Sequence, residues 1–165
     1  MHRGLRIVLG GLMLSALFGC DYFAQRDLKP GESTVEDVRK LMGRPEMIWE
    51  EKDGSQTLEF VRAPAGTATY MVQIGPDGKY RGMRNVLVQD TFDKVRPGMS
   101  TDDVRRLLGK PSETVQFKLK QEDVWSWRHN DVTQQPRMFN VHFGLDGKVR
   151  STSMSDVQQK STKGP

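Results

Sequence analysis

The sequence has few residues that bind metals or form disulfides. Its 165 residues include a single cysteine, Cys20, and three histidines. One cysteine cannot form an intrachain disulfide, and it cannot supply the thiolate cluster of a structural zinc site. Two of the histidines, His129 and His142, lie on different predicted strands and lack the i, i+4 spacing of a metal-binding helical pair. We therefore expect no metal and no cofactor, and we expect the hydrophobic core to hold the fold together.

Signatures of catalysis and of phosphate binding are also absent from the sequence. No Ser-His-Asp or Cys-His motif is present, and Gly75 and Gly78 belong to a predicted hairpin turn instead of a phosphate-binding loop. Asp102 and Asp103 begin a predicted helix, where the helix dipole favours acidic side chains, so we do not interpret them as an acid/base pair. We predict that the protein is not an enzyme. An enzyme whose site the sequence does not reveal stays open as an alternative.

No apolar run in the sequence is long enough to cross a bilayer as a helix. The run from Ile7 to Gly19 has 13 residues, whereas a spanning helix needs about 20. Arg3 and Arg6 precede this run, which is the pattern of the basic and apolar regions of a secretory signal peptide. We predict that residues 1–19 are a signal peptide.

The apolar run ends in Leu-Phe-Gly-Cys, which resembles the lipobox of bacterial lipoproteins. Leu17 and the small Gly19 match that pattern, although Phe18 is bulkier than the usual residue at its position. The resemblance implies that Cys20 is lipidated, becomes the mature N-terminus and anchors the chain to a membrane. Asp21 resembles the signal that retains enterobacterial lipoproteins at the inner membrane. The sequence therefore leaves open whether the protein lies on the periplasmic face of the outer membrane or at the inner membrane.

Charge gives little support for a nucleic-acid partner. The formal net charge is +4, with a pI near 9.3, but two of the basic residues belong to the predicted signal peptide. Without them the charge falls to about +2, which is too small to indicate binding to a polyanion. We predict no nucleic-acid partner.

One helix motif occurs twice, 66 residues apart. Val-Arg-Lys-Leu-Met-Gly-Arg-Pro and Val-Arg-Arg-Leu-Leu-Gly-Lys-Pro are identical at five of eight positions. Upstream of each copy, Thr34 or Ser100 has an aspartate three residues later, which predicts a capping box. Gly43 and Gly109 are predicted to adopt the left-handed conformation that ends a helix. The apolar positions recur at i, i+3 and i+4, so each helix is predicted to bury one face.

A hairpin turn is duplicated as well. The segments from Gly75 to Arg81 and from Gly144 to Arg150 are identical at five of seven positions. Two internal matches in the same order indicate an internal duplication. Alternating apolar residues between helix and turn predict the strands, and they include Tyr70, Val72, Ile74, Phe139, Val141 and Phe143.

We predict an α+β fold of two tandem units, each with one or two short helices followed by a three- to four-stranded antiparallel meander. A unit of about 65 residues buries only about 60% of its unfolded surface, so we expect the two units to pack side by side with their sheets sharing an interface. The predicted segments are a signal peptide at 1–19, a tether at 20–27, a first unit at 28–89, a second unit at 90–157 and a disordered tail at 158–165.

The lipobox, the helix motif and the last turn together resemble the BamE (SmpA/OmlA) family. The residues that carry this resemblance are Gly98-Met99-Ser100-Thr101, Val104, Leu108-Gly109, Pro111, Phe143, Asp146-Gly147 and Val149. The resemblance is best in the second unit. It implies a compact ααβββ unit, which in tandem resembles β-lactamase-inhibitor proteins, and a role as an accessory lipoprotein of the β-barrel assembly machine. The typical member has one such unit, whereas this chain is predicted to have two.

Tryptophan and arginine side chains give the best binding signal in the sequence. Trp125 and Trp127 are predicted on one side of a strand, and Trp49 ends a strand of the other unit. Arg105 and Arg106 lie on the second copy of the helix. These five residues are our candidate interface, because tryptophan and arginine dominate interface hot spots. Core packing of the tryptophans and a solvated helix face for the arginines stay open as alternatives.

These observations predict a membrane-anchored periplasmic lipoprotein that acts as a non-catalytic protein-binding module. Its partner would be another envelope protein, possibly the β-barrel assembly machine, and its role would concern outer-membrane protein assembly or envelope integrity. The alternative is a periplasmic protein inhibitor that resembles β-lactamase-inhibitor proteins and plugs an enzyme cleft with its sheet.

Overall fold

The computed structural model describes residues 26–63 and 65–157. The predicted signal peptide, Cys20 with its lipid, Asp21 and the predicted tail lie outside these ranges. Within them, no helix has the length and apolar character that a membrane span requires.

Two antiparallel sheets of four strands each form the framework, as the α+β prediction expected. The first unit has α1 (Val35–Met42), β1 (Met47–Glu50), β2 (Gln56–Val61), β3 (Thr69–Ile74) and β4 (Tyr80–Asn85). The second unit has α2 (Gln89–Phe92), α3 (Thr101–Leu108), β5 (Glu113–Phe117), a short 3-10 helix (Lys118–Lys120), β6 (Glu122–Asn130), β7 (Pro136–Gly144) and β8 (Val149–Asp156). In both sheets the strands follow one another in chain order.

Both predicted capping boxes are present. At the start of α1, the Asp37 backbone N–H donates to Thr34 Oγ1 at 3.2 Å, and the Thr34 N–H donates to the Asp37 carboxylate at 2.9 Å. Ser100 and Asp103 make the same two hydrogen bonds at the start of α3, at 2.8 and 3.2 Å. Hydrogen bonds from the capping residues lower the pKa of both aspartates, because they stabilise the charged carboxylate.

The glycines that end α1 and α3 have positive φ, but their ψ differs from the prediction. Gly43 has φ 86° and ψ −155°, and Gly109 has φ 78° and ψ −168°. These angles belong to the mirror image of the extended region, which is essentially restricted to glycine, instead of the left-handed helical region that we expected. The chain therefore leaves each helix in an extended direction, which leads it directly into the first strand of the sheet.

Each unit has its own core on the face of the sheet that its long helix covers, which we call the inner face. In the first unit this core contains Leu28, Val38, Met42, Leu58, Phe60, Val72, Ile74 and Tyr80. In the second unit it contains Val104, Leu108, Trp127, Phe139, Val141 and Phe143, together with α2 and the chain that precedes it. The inward rows predicted in β3 and β7 lie on these inner faces.

Local irregularities recur at matching places in the two units. A register shift lies between Gln73 and Ile74 in β3, and another lies between His142 and Phe143 in β7. In both duplicated turns, a Cβ atom on the first glycine would collide with the guanidinium of the last arginine. The two units therefore share local geometry as well as element order.

The contact between the units differs from the shared sheet interface that we expected. The opposite face of the first sheet, which we call its outer face, carries Thr57, Glu59, Met71 and Gln73. Helix α3 of the second unit packs on this face, and Met71 joins the core of the second unit. A sheet and a helix meet here because the outer face of the first sheet has both an apolar residue and a carboxylate to receive the arginines of α3.

Candidate functional site

The structure divides the five candidate interface residues between a core and the junction of the units. Trp127 is fully buried, and its Nε1 donates to the Gly109 carbonyl at 3.0 Å. Trp125 is partly buried beside it, with its ring centroid 5.0 Å from that of Phe143. The core alternative therefore applies to Trp127, and Trp125 packs against the same core.

Trp49, Arg105 and Arg106 meet at the junction between the units. The Arg106 guanidinium carbon lies 4.7 Å from the centroid of the Trp49 ring, and that of Arg105 lies 5.9 Å from it. Arg106 Nη1 also donates to Glu51 Oε1 at 3.3 Å. The two arginines thus bind the first unit of their own chain, which replaces the solvated helix face that we had left open.

A buried carboxylate fixes the end of α3 on the first sheet. Glu59 has no exposed surface, and its Oε2 accepts from Arg105 Nη1. Its Oε1 accepts from the backbone N–H of Lys110 at 2.9 Å. At the rim, Lys110 Nζ donates to Glu46 at 2.6 Å, and this hydrogen bond lowers the pKa of Glu46. Charged hydrogen bonds with two donors per carboxylate give strong and directional attachment.

Sequence reasoning missed Glu59 as the centre of this junction. Its partners Arg105 and Lys110 are 46 and 51 residues away in the chain. The only local signal is a carboxylate between Leu58 and Phe60 in a strand, where a charge is costly unless it has a partner.

No α-helix within the described residues packs on the outer face of the second sheet, and Lys120 of the short 3-10 helix lies at its edge. A groove of about 510 Å³ crosses this face. Its apolar side chains include Val115, Phe117, Val124 and Met138, and Val115 and Phe117 are 38% and 43% exposed. Exposed apolar side chains gathered on one sheet face indicate a binding surface.

Polar side chains across the same outer face are joined to one another. Ser126 Oγ donates to Asn140 Oδ1 at 2.8 Å, and Asn140 Nδ2 donates to Ser155 Oγ at 3.0 Å. On the neighbouring row, His142 Nδ1 lies 3.1 Å from Glu122 Oε1, and His142 Nε2 lies 2.9 Å from Ser153 Oγ. Because these groups already have partners, a protein could cover the face without leaving them unsatisfied.

Strand registers make the two outer faces equivalent position by position. Trp49 pairs with Thr57 in the first sheet, and Val115 pairs with Val124 in the second. Glu59 lies two residues after Thr57, and Ser126 lies two residues after Val124. Glu59 of the first sheet therefore corresponds to Ser126 of the second sheet. The first outer face holds α3, whereas the second outer face has no α-helix packed on it within the described residues.

A second cleft lies at the far end of the inner face of the second sheet. It measures about 390 Å³, and its walls include Val88, His129, Val132 and Met154. His129 is 5% exposed and packs edge-on against Phe92, with the ring centroids 4.8 Å apart. Burial lowers the pKa of this histidine, because an imidazolium loses hydration there.

Within 26–63 and 65–157, no group of three or more histidine, cysteine, aspartate or glutamate side chains is arranged to hold a metal ion.

Residues 84–153 match the model of the family described as the outer membrane protein assembly factor BamE domain. A solved structure described as an osmotically inducible lipoprotein, OsmE, is 30% identical over 41% of this chain and 72% of its own, with a TM-score of 0.37. The second unit therefore carries a BamE domain. The matched residues contain α2, α3 and most of the second sheet, and they include most of the residues that line the outer-face groove.

Two further solved structures are more distant in sequence. A structure from Streptococcus mutans described as a β-lactamase inhibitor protein is 12% identical, with coverage of 84% of this chain and 97% of its own and a TM-score of 0.34. A DUF4309 family protein from Bacillus subtilis is 14% identical, with coverage of 79% and 82% and a TM-score of 0.30. Likenesses at these TM-scores carry no argument about function. Comparison with curated proteins gives no match.

Proposed function

We propose that the protein is a lipid-anchored, non-catalytic binding module of the cell envelope that supports the assembly of outer-membrane β-barrel proteins. Its lipid would be attached to Cys20, and it would act on the periplasmic face of the outer membrane. The BamE domain at residues 84–153 supports this role. We also propose that the first unit is a diverged second copy of the same domain, because its caps, strand order and turns repeat those of the second unit.

The single observation that carries this proposal is the uncovered outer face of the second sheet. The equivalent face of the first sheet binds a helix, so this side of the unit is able to act as a helix receptor. Its apolar side chains supply buried area, and its polar side chains already have hydrogen-bond partners. We expect the partner to place a helix there. That helix needs no arginine at the centre of the contact, because Ser126 stands where the first sheet has Glu59.

Val115→Arg tests the face without disturbing a core. Val115 is half-exposed on the edge strand β5, so an arginine there keeps the fold but places a charge in the groove. The neighbouring Gln116→Arg is a matched control, because successive strand residues point to opposite faces. We expect Val115→Arg to lose co-purification with the β-barrel assembly machine from intact cross-linked cells and to sensitise cells to detergents.

Both variants are first compared for abundance and membrane association. Equal loss of co-purification in Val115→Arg and Gln116→Arg would argue against the outer face of the second sheet as the binding surface. Full co-purification of Val115→Arg would argue against it as well. Recovery with one periplasmic enzyme whose turnover falls on binding would favour the inhibitor alternative instead.

A second candidate function rests on the contacts of Ser153, His142 and Glu122. In this row the hydroxyl could donate to His142 Nε2 while Nδ1–H donates to Glu122, which is the order of a nucleophile, a base and its positioning acid. A hydrolase would form a Ser153 Oγ–acyl bond, break the ester bond and pass the serine proton through His142 to the leaving alcohol. A fluorophosphonate probe should then label Ser153 and should fail to label His142→Ala. Absence of labelling in the unmodified chain removes this candidate.

A further inference from the structure

The junction between the units contains a carboxylate receptor made of two donors. Arg105, in the last turn of α3, donates through its guanidinium to one oxygen of Glu59. The backbone N–H of Lys110, which follows Gly109, donates to the other oxygen at 2.9 Å. The mirror-extended conformation of Gly109 turns this N–H out of the helix axis and towards the carboxylate. Side chain and backbone therefore form one site because of how the helix ends.

The end of α1 has the same parts in the same arrangement. Arg39 and Arg44 stand where α3 has Arg105 and Lys110, with the same spacing to the terminal glycine. The Gly43 N–H donates to the Arg39 carbonyl at 2.9 Å, and the Gly109 N–H donates to the Arg105 carbonyl at 2.9 Å. The two glycines have similar backbone angles, with φ of 86° and 78° and ψ of −155° and −168°. The backbone donor of Arg44 is thus already oriented as that of Lys110 is.

The surroundings of the two helix ends differ. At Gly109 a Cβ atom would lie 2.7 Å from Thr69 Cγ2 and 3.1 Å from the Glu59 carboxylate, whereas at Gly43 nothing lies within 4 Å. Arg39 and Arg44 are exposed, and among the described residues neither makes an ion pair. The Arg44 backbone N–H likewise has no protein acceptor within the same ranges.

We propose that the Arg39 guanidinium and the backbone N–H of Arg44 form a binding site for an aspartate or glutamate side chain of a partner protein. This site lies on the first unit and goes beyond the proposed function, which concerns the outer face of the second sheet. A planar carboxylate fits it, because two donors from one side can each meet one oxygen, as they do at Glu59.

The groove beside the site favours a protein over a lipid headgroup. It measures about 650 Å³ and is lined by Pro45, Met47 and Ile48 next to the two arginines, and by Glu46, whose carboxylate already accepts from Lys110. Met47 is 40% exposed, so we expect the carboxylate to come from a residue with apolar neighbours, as Glu59 has Met71 beside it on the next strand. A second copy of this chain is a poorer fit, because its free outer face has Ser126 where the first outer face has Glu59.

Nuclear magnetic resonance on the full chain in neutral detergent micelles tests the site directly. The probe is N-acetyl-glutamate methylamide, titrated at constant ionic strength, with N-acetyl-glutamine methylamide as the uncharged control. We expect a saturable downfield shift of the Arg44 amide proton with the glutamate probe and none with the glutamine probe. The Lys110 amide should stay unchanged, because Glu59 already occupies it.

The variants Arg39→Gln and Lys40→Gln distinguish binding at the proposed site from a general effect of positive charge on α1. Both remove one exposed charge from α1, but only Arg39 corresponds to the arginine that holds Glu59. We expect Arg39→Gln to weaken binding of the probe about tenfold, as the loss of one charge-assisted hydrogen bond does, and Lys40→Gln to change it less than about twofold.

Four outcomes would overturn the proposal. One is an Arg44 amide that does not respond, and a second is equal weakening by the two variants. Tighter binding of glycerophosphoglycerol than of the glutamate probe would assign the site to a lipid headgroup. An Arg44 shift that depends on protein concentration without any probe would assign it to a second copy of the chain.

Discussion

Glu59 is the residue whose charge the fold depends on most directly. It has no exposed surface, and its two oxygens accept from Arg105 and from the Lys110 backbone. We predict that Glu59→Gln lowers the free energy of unfolding by roughly 2–4 kcal/mol, because it keeps the shape but leaves the Arg105 guanidinium without its counter-charge. Urea unfolding measures this change. Glu50→Gln, at an exposed position of the first sheet, is the control and should stay within about 0.5 kcal/mol of the unmodified protein.

His129 gives the protein a stability that depends on pH. Burial lowers its pKa in the folded state, so between that pKa and the unfolded value near 6.5 the unfolded chain binds more protons. Stability therefore rises with pH through this window and falls as the pH drops below about 6.5. We predict that His129→Gln flattens the change in unfolding free energy between pH 7.5 and 5.5, measured by urea titration. An unchanged slope would contradict the buried, neutral histidine.

At the scale of the element, α1 and α3 have the same caps and the same sequence motif, but their terminal glycines have different surroundings. Gly43 and Gly109 both have positive φ, so alanine at either position should cost about 1–2 kcal/mol. Only at Gly109 would the added methyl group also meet Thr69 and Glu59. We predict that Gly109→Ala lowers the free energy of unfolding by at least about 1 kcal/mol more than Gly43→Ala. Equal midpoints in chemical unfolding would mean that α3 is not packed tightly on the first sheet.

The helices, their caps and the alternating strands could be predicted because their signals are local. Thr34 and Asp37, or Ser100 and Asp103, are three residues apart, and the alternation in β3 and β7 is visible within a few residues. The inner faces follow from the same local signals.

The junction could not be predicted, because it depends on contacts between residues far apart in the chain. Arg105 and Arg106 were predicted to contact a partner protein or solvent, and nothing in the sequence reveals that they contact Glu59 and Glu51 of the same chain. Tryptophan is common in interface hot spots, and Trp127 also follows the alternating pattern of core residues. Only the register of β6 with β7 shows that it lies in the core.

For the molecule as a whole, the proposed attachment to the membrane depends on one residue. Cys20 lies outside the described residues, and its lipidation is a proposal based on the lipobox. We predict that Cys20→Ala abolishes incorporation of labelled palmitate and releases the chain from membranes or leaves it unprocessed. Two or more acyl chains are needed for stable anchoring, so partial modification should give partial release. Palmitate that still enters the Cys20→Ala chain would rule out the lipobox interpretation.

Because α3 packs on the outer face of the first sheet, the two units leave different surfaces exposed, and the molecule is asymmetric. The first unit presents the terminus of α1, and the second unit presents a sheet face, so the two proposed binding surfaces differ in chemistry. An adaptor that used both surfaces would join two different proteins in a fixed order. Its contribution then comes from effective concentration: once one end is bound, the second encounter is intramolecular, and two weak contacts yield a durable three-part assembly. Rotation of one unit against the other would abolish that order, and it would also break the hydrogen bonds that the buried Glu59 accepts from Arg105 and Lys110.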